Sequence, residues 1–412
     1  MIEIIAKKGR GWMKFFHTSD WHFGKLVQGV YMTEDQRYVM QQFMKDIERE
    51  KPDAVIIAGD LYDRAVPPTE AVNLLNEVFE TIVLKLKTPV LAIAGNHDSP
   101  SRLDFGSNIM KANGCHIIGQ ITKELQPIVL KDEHGEVHIH LIPYSDPSVV
   151  RHVFADEDIR THHDAMKKIT EHITANMDPS ARHVFVGHAF VTPHGEEQEN
   201  TSDSERPLAI GGTEQVDANL FAKFHYTALG HLHQAHFVHA ENIRYAGSPL
   251  KYSISEEMHR KGYYIVELDG QGAIMVEKKL LTPIRDMRTV EAKMDDLLKQ
   301  PINDDYVFIR LLDETPVLSP MEKVRSVYPN AMHVERSLAH ATASVSSNGE
   351  RVARHKMDDL SLFRAFYQEV KNEAVSEETE AIFTEVLHEL LQGEHKESEQ
   401  TSKEVAAAKE LL

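Results

Sequence analysis

The chain predicts a layered α/β fold, followed by a second, smaller α/β domain and a terminal helix pair. Three observations predict it. Short apolar runs alternate with amphipathic helical stretches through the first two thirds of the sequence. The same alternation restarts on a smaller scale after Pro283. Beyond a Ser/Ala-rich stretch, two amphipathic helical segments stand with no strand pattern beside them.

In order along the chain, residues 1–12 ("MIEIIAKKGRGW") are expected to be a leader, open to disorder, because "KFFHTS" makes a natural first strand. Thr33 and Gln36 have capping-box spacing ahead of Val39, Met40, Phe43 and Ile47, which mark one helix face. "AVIIAG" (54–59) is the next strand, and Thr69 opens a helix in which Leu75, Phe79 and Ile82 recur at helical intervals. "PVLAIAG" (89–95), "VHIHLIPY" (137–144), "HVFVGH" (183–188), "YTALGH" (226–231) and "GYYIVELD" (262–269) complete a main domain over 13–282. Residues 283–336 read as the small α/β domain, with "MRTVEA", "YVFIRLL" and "AMHVER" alternating with helical stretches. Residues 337–356 form a polar linker. Residues 357–392 form the helix pair, carrying Leu360, Phe363, Phe366 and Val370, then Ile382, Phe383, Val386 and Leu390. The pair has little domain of its own, so its apolar faces are expected to dock on a partner protein, with docking on the body of the chain as the alternative. Residues 393–412 are a charged tail.

Composition narrows the function. With 45 basic against 64 acidic residues the net charge is −19, which excludes coating nucleic acid by bulk charge but leaves room for a local basic groove. No apolar run approaches the roughly 20 residues needed to cross a bilayer, and the N-terminus lacks a signal-peptide core, so a cytoplasmic protein is expected. The one cysteine, Cys115, excludes an internal disulfide and multi-cysteine zinc sites. A bound metal must therefore be held by His and carboxylates. Most of the 25 histidines, such as those in "THHDAMKKITEHI", are expected at the solvated surface.

The strand ends carry the chemistry. "HTSDWHFG" places Asp20 and His22 two apart, and in extended backbone both would face one point. Alone this is a chance-level pair. "AVIIAGDLYD" adds Asp60 and Asp63, "VLAIAGNHDSP" adds Asn96, His97 and Asp98, "VFVGHAF" adds His188, and "YTALGHLHQ" adds His231 and His233. Ligands of open α/β sheets bind outside the carboxyl ends of the strands, so five strand ends converge on one site. Carboxylates, neutral imidazoles and an amide oxygen suit Mn2+, Fe2+ or Zn2+ better than Mg2+ or Ca2+. Asp60 is the natural bridge, one oxygen to each of two ions about 3.5–4 Å apart. His17, His116, His138 and His140 read as packing or surface residues, and His194 and His236 match no ligand position. Among the basic residues near these loops, Lys25, Arg37, Arg64 and Arg102, the last two flank the motifs directly and are the better candidates for phosphate contact.

The ordered set D-x-H, G-D-x-x-D, G-N-H-D, G-H and G-H-x-H resembles the calcineurin-like metallophosphoesterase superfamily over roughly residues 14–270. "HTSDWHFGK", "GDLYDRAVPP", "AGNHDSPSRL" and "GSPLKYSISE" (247–256) resemble, more narrowly, the SbcD nuclease family. That resemblance implies a β-sandwich flanked by helices, a capping domain and an ATPase-binding segment at 357–392. It implies one metal on Asp20, His22, Asp60 and His233 and another on Asp60, Asn96, His188 and His231. His97 then meets the scissile phosphate and protonates the leaving oxygen, with Asp98 orienting it. Some relatives carry a second catalytic-site histidine where this chain has Asp63. The implied activity is Mn2+-dependent 3′–5′ exonuclease and single-strand or hairpin endonuclease action in DNA repair, recombination and replication, near the nucleoid. The implied partner is an SMC-like coiled-coil ATPase of the SbcC type, which alone binds ATP, since this chain has no G-x-x-x-x-G-K-[ST] loop. A homodimer within a heterotetramer is expected. The residues alone also fit a metallophosphoesterase of small phosphoesters or phosphoproteins. An architectural role, with the first helix (around Thr33 to Glu50) dimerising, is compatible with either.

Overall fold

A computed structural model describes residues 3–5, 11–194, 202–205, 208 and 214–336, with scattered positions between 360 and 386. Residues Met1–Ser337 form one compact unit and Leu338–Leu412 another. The expected linker (337–356) and tail (393–412) lie outside the described residues.

The first unit is built on two sheets. One has six strands in the order Ile274–Leu280, Gly262–Asp269, Trp12–Thr18, Ala54–Ile57, Val90–Ile93 and Cys115–Ile118. The other has seven, in the order Glu3–Ile5, Ile128–Asp132, Gly135–Leu141, Arg182–His188, Tyr226–Gly230, Ala240–Tyr245 and His236–Val238. The apolar runs are continuous because both faces of these strands are buried. Side chains alternate between two cores. Phe15, Ala54, Ile56, Leu91 and Ile93 face the other sheet, meeting Val137, Ile139, Val184, Val186 and Ala228. Their neighbours Phe16, Val55, Ile57, Val90 and Ala92 face the helices, meeting Val39, Phe43, Ile47, Leu74 and Val78. A third cluster packs Val150, Phe154, Ile169 and Ile173 on the outer face of the seven-stranded sheet. The result is a sandwich with helices on both sides.

Within each sheet the central strands are parallel. Trp12–Thr18 pairs in parallel with Ala54–Ile57, which pairs with Val90–Ile93. Gly135–Leu141, Arg182–His188 and Tyr226–Gly230 do the same in the other sheet. The carboxyl ends of the two sets meet, as Tyr144 N–H donating to Ala94 O at 2.9 Å shows. The motif loops therefore share one edge of the sandwich.

Several local expectations change. Thr33–Glu50 is a helix, but Met32 occupies its N-cap without a side-chain cap, and Gln36 is buried and bonded elsewhere, so there is no capping box. The apolar stripe of this helix, Val39, Met40, Phe43 and Ile47, packs into the core, and Tyr38 remains exposed on its outer side. The helix at Thr69–Phe79 runs on as a π-helical turn at Glu80–Lys85, which still buries Ile82. The supposed leader contributes an edge strand, Glu3 pairing with Val129 and Ile5 with Lys131. In "THHDAMKKITEHI" a capping box does form, between Thr161 and Asp164. His162 there is buried against Tyr144 rather than solvated.

Residues 283–336 hold a parallel three-stranded sheet, Met287–Ala292, Tyr306–Leu311 and His333–Arg336. Short helices at Met294–Leu297 and Pro320–Arg325 cover it, with a core of its own around Leu297, Val307, Ile309 and Val324. In the second unit, helical residues lie at 360–371 and 378–386 among those described. Phe363 stacks on Phe383 with ring centroids 3.8 Å apart, and Arg364 Nε donates to Glu380 at 2.8 Å.

Of the histidines set aside as structural, His17 donates from Nε2 to Leu229 O (3.2 Å) and accepts from Tyr226 Oη at Nδ1 (2.9 Å). His116 is buried, and neither ring nitrogen has a partner. Burial, with a smaller effect of Lys111, pulls its pKa down to about 4. A histidine whose folded-state pKa is lowered leaves the unfolded chain binding protons more tightly. Its stabilisation is present above about 6.5, and is lost as pH falls towards 4. His116→Leu is expected to narrow the gap between urea midpoints measured at pH 7 and pH 5; an unchanged gap would remove His116 as a source of acid lability.

Candidate metal centre

The strand at Trp12–Thr18 stops before its two candidate ligands. Asp20 and His22 are not extended: φ is 53° and 46°, and Asp60 (51°) and His231 (104°) also lie in the positive region. The alternation of a strand therefore does not explain why Asp20 and His22 converge. Left-handed backbone costs an L-residue about 1–2 kcal/mol. It is held here by a ladder between two loops, Asp20 N–H to Gly59 O (3.1 Å), His22 N–H to Asp60 O (3.0 Å) and Phe23 N–H to Leu61 O (3.0 Å). Strain of this kind gathers at functional sites. Glycine is needed beside Asp60 because the site itself fills the space of a side chain. A Cβ on Gly59 would lie 2.3 Å from His188 Nδ1, and one on Gly95 2.1 Å from Asp60 Oδ1.

Asp60 is fixed through one oxygen. Oδ1 accepts the His97 N–H at 2.9 Å, while Oδ2 lies 3.5 Å from both His22 Nε2 and His188 Nε2. Oδ2 is thus the Asp60 oxygen that lies near both imidazoles, while Oδ1 is engaged by the backbone. His188 Nδ1–H donates to Ala58 O at 2.9 Å, so Nε2 bears a lone pair, and it faces Asn96 Oδ1 at 2.8 Å. His233 Nδ1–H donates to Glu256 Oε1 at 2.9 Å, and its Nε2 lies 3.1 Å from His22 Nε2. Asp20 accepts the His231 N–H at 3.0 Å and the Ser19 hydroxyl at 2.6 Å.

Three ligand groups result: Asp20 with His22 and His233, Asp20 with Asp60 and His188, and His22 with Asp60 and His97. Asn96 joins through His188. The His231 ring is 5.4 Å from that of His188 but falls in none of these groups. Electrostatics match a cation site. Burial raises Asp20 to about 6, with Asp60 adding to it, although nearby histidines and Ser19 work the other way. Burial also pushes His22 and His231 well below the usual imidazole range, which favours the neutral rings. His188 Nε2 lies 2.8 Å from Asn96 Oδ1 and His22 Nε2 lies 3.1 Å from His233 Nε2, while His22 Nδ1 has no hydrogen-bond partner. Burial works to lower the His233 pKa, but Glu256 and Asp20 raise it, so the His22–His233 contact is a hydrogen bond between imidazoles. The donor set fits divalent cations of the kind that accept nitrogen and oxygen together.

His97 is half-buried at the mouth. Its Nδ1–H donates to the Asp63 carbonyl at 2.7 Å, leaving Nε2 available. Asp98 does not orient it. The Asp98 carboxylate is consumed by three backbone N–H groups, of Tyr62 (2.9 Å), Gly95 (3.0 Å) and Leu61 (3.1 Å), and so ties two motif loops together. Asp63 holds Lys25 at 2.9 Å and approaches His22 Nδ1 at 3.7 Å. Arg37 pairs with Glu34 and Glu77, whereas Arg64 and Arg102 are exposed beside the loops. Trp21 and His17 are fully buried and pack behind the site.

Sequence reasoning missed the residues that brace these ligands. Gln36 Nε2 donates to the carbonyls of His22 (2.7 Å) and Trp21 (3.1 Å). Glu256, fully buried, accepts from His233 and pairs with Lys261 Nζ at 2.6 Å. Burial works to raise the Glu256 pKa, but Lys261 and His233 hold it far below the usual range. Lys261 also donates to His233 O and Ser248 Oγ. The only signal was the Glu closing "GSPLKYSISE", which sits in a charged run that reads as surface.

Residues 13–235 match the family model described as calcineurin-like phosphoesterase, and residues 283–371 match that of the type 5 capsule protein repressor C-terminal domain. The D component of the SbcCD nuclease of Staphylococcus epidermidis is 33% identical over 369 residues, covering 89% of this chain and 95% of that protein. Among solved structures, a protein of Thermus thermophilus covers 65% of this chain and 99% of its own, at 10% identity and a TM-score of 0.35. A dimetal phosphatase from Danio rerio covers 65% and 98%, at 9% identity and the same TM-score of 0.35.

Removing one partner of a buried ion pair costs about 3–5 kcal/mol, because the other charge is stranded. Glu256→Ala is expected to lose stability of that order in a urea titration, and Glu256→Ala with Lys261→Met to regain much of it. Equal losses in the single and double variants would mean the pair is not coupled.

Proposed function

Since this chain belongs to the SbcD nuclease family, within the calcineurin-like phosphoesterases, we propose that it is the nuclease component of an SbcCD-type complex and hydrolyses DNA phosphodiesters. The observation that carries the reading is the pair of buried ligand groups meeting at Asp60 Oδ2, at the carboxyl ends of the parallel strands. The proposed cofactor is two Mn2+. Asp20, His22, Asp60 and His233 would hold one, and Asp60, Asn96, His188 and His231 the other. When bound, such ions supply positive charge against the phosphodiester and lower the pKa of water towards neutrality.

The chain's own groups do the rest. The Asp98 carboxylate and the loop ladder keep the ligands converged before substrate arrives. In its imidazolium form, with Nδ1–H held by Asp63 O, His97 would give its Nε2 proton to the leaving oxygen as a water oxygen bonds to phosphorus and the old P–O bond breaks. Arg64 and Arg102, exposed beside the motif loops, would contact the DNA backbone. A small domain and a terminal helix pair are more than a small phosphoester needs, which supports a macromolecular substrate. It also supports an ATPase partner of the SbcC type bound through residues 357–392. In this reading the chain works as a 3′–5′ exonuclease and a single-strand or hairpin endonuclease, as a homodimer within a heterotetramer. Its setting is cytoplasmic repair, recombination and replication of DNA. Among the described residues, no helix is long and apolar enough to cross a membrane.

Purified protein with Mn2+ is expected to degrade duplex DNA faster than p-nitrophenyl phosphate esters, and Asp60→Ala to abolish the degradation. Intact DNA alongside rapid ester turnover would move the assignment to a small-phosphoester hydrolase. His97→Ala is expected to bind two Mn2+ in calorimetry as the parent does, while the rate falls about 10²-fold or more. Loss of an ion would instead make His97 a ligand.

A further inference from the structure

Three pairs of adjacent residues join the small domain to the loops of the metal centre. Asp35 is 1% exposed and accepts from Arg285 at Oδ1 (3.0 Å) and Oδ2 (2.8 Å), and from Tyr306 Oη at 2.8 Å. Its neighbour Gln36 holds the carbonyls of Trp21 and His22 and accepts the Gly24 N–H at 3.2 Å. Lys251 Nζ donates to Asp286 Oδ1 (2.8 Å) and Met287 O (3.2 Å), while the hydroxyl of Tyr252 donates to Trp21 O at 2.5 Å. Glu257 accepts the Thr289 N–H at 2.7 Å, while Glu256 holds His233. In each pair one residue grips the small domain and the next grips the segment bearing His22 or His233.

Adjacent Cα atoms are fixed about 3.8 Å apart, so neither member of a pair moves without the other. The seam is small. Its apolar part is a cluster of Val27, Met32, Met287 and Tyr306, and the cations Arg285 and Lys251 are only partly buried. Asp35 itself is buried, so loss of Arg285 strands a carboxylate and costs stability as well. Beyond that cost, all three pairs act on the backbone of Trp21 and His22 or on the His233 ring.

We propose that Asp35, Lys251 and Glu257 are positioning residues through which the seating of the small domain sets the cation affinity of the Asp20, His22 and His233 group. This rests on the reading of that group as a cation site. Release of the small domain would free Gln36, Tyr252 and Glu256 to shift, and His22 and His233 would lose their fixed separation of 3.1 Å. The ligands around Asn96 and His188 are held instead by Ala58 O and the Asp98 loop, and none of the three pairs touches them.

The test uses the full chain carrying Arg285→Ala and Lys251→Ala, with Glu257→Gln as a separate, milder variant. Metal-free protein is followed by backbone hydrogen exchange, and Mn2+ binding by calorimetry. The expected result is faster exchange confined to residues 21–24 and 231–233 and one Mn2+ step weakened about 10-fold or more, as for loss of groups that orient ligands. The second step should stay close to that of the parent in every variant, and the thermal midpoint close to the parent's in Glu257→Gln, which strands no buried charge. Unchanged exchange in those segments, or two unchanged Mn2+ steps in a variant whose parent binds two ions, overturns the coupling. If the parent takes up no Mn2+, the cation reading itself fails and the coupling falls with it.

Discussion

Two close contacts between candidate ligand atoms define this site, and the structure around them holds them in place. His188 Nε2 and Asn96 Oδ1 are 2.8 Å apart, and His22 Nε2 and His233 Nε2 are 3.1 Å apart, with Asp60 Oδ2 between the two sets. Each is kept because the other nitrogen of His188 and of His233 is anchored, to Ala58 O and to Glu256, and because the loops bearing the ligands are laced backbone to backbone. The donor atoms are thus gathered where a cation would accept them, so the fold stores in advance the arrangement that binding would otherwise have to organise.

The rigidity this requires comes from the sandwich. Parallel strands buried on both faces deliver their carboxyl ends to one edge with little freedom, and the loops there are short. Buried carboxylates then reinforce the loops from within. Asp98 takes three backbone N–H groups from two motif loops; burial and the nearby Asp60 carboxylate raise its pKa to about 8, against the pull of those three N–H groups. A carboxyl group so placed costs desolvation energy, which its hydrogen bonds offset.

Much of this was legible in the sequence, for a physical reason. A strand buried on both faces must be apolar throughout, so the first polar residue after it marks the strand end, as at Asp60 after "AVIIAG" and His188 after "VFVG". The ligands stood out because they sit at that boundary. What did not stand out depends on partners far away in the chain. Gln36 looked like a cap residue because the residue at the right spacing was Thr33, yet its amide reaches Tyr252 as well as His22. Asp98 looked like the partner of His97 because the two are adjacent, but adjacent residues in a tight loop point apart, and the carbonyl of Asp63 serves His97 instead. The left-handed backbone at Asp20 and His22 has no sequence signal at all, since neither residue is a glycine.

Histidine shows what separates a structural residue from a reactive one here. His17 and His22 lie five positions apart and are equally buried, and burial depresses the pKa of both. Burial is therefore not the criterion. His17 spends both nitrogens, on Tyr226 and Leu229, and has nothing left to offer a ligand. His116 spends neither, yet it belongs to no group of converging donors among the described residues. His22 alone of the three combines an uncommitted lone pair with two carboxylates and a second imidazole close enough to share one ion. Convergence of unsatisfied donors, rather than the burial or abundance of histidine, is what makes this strand end a site.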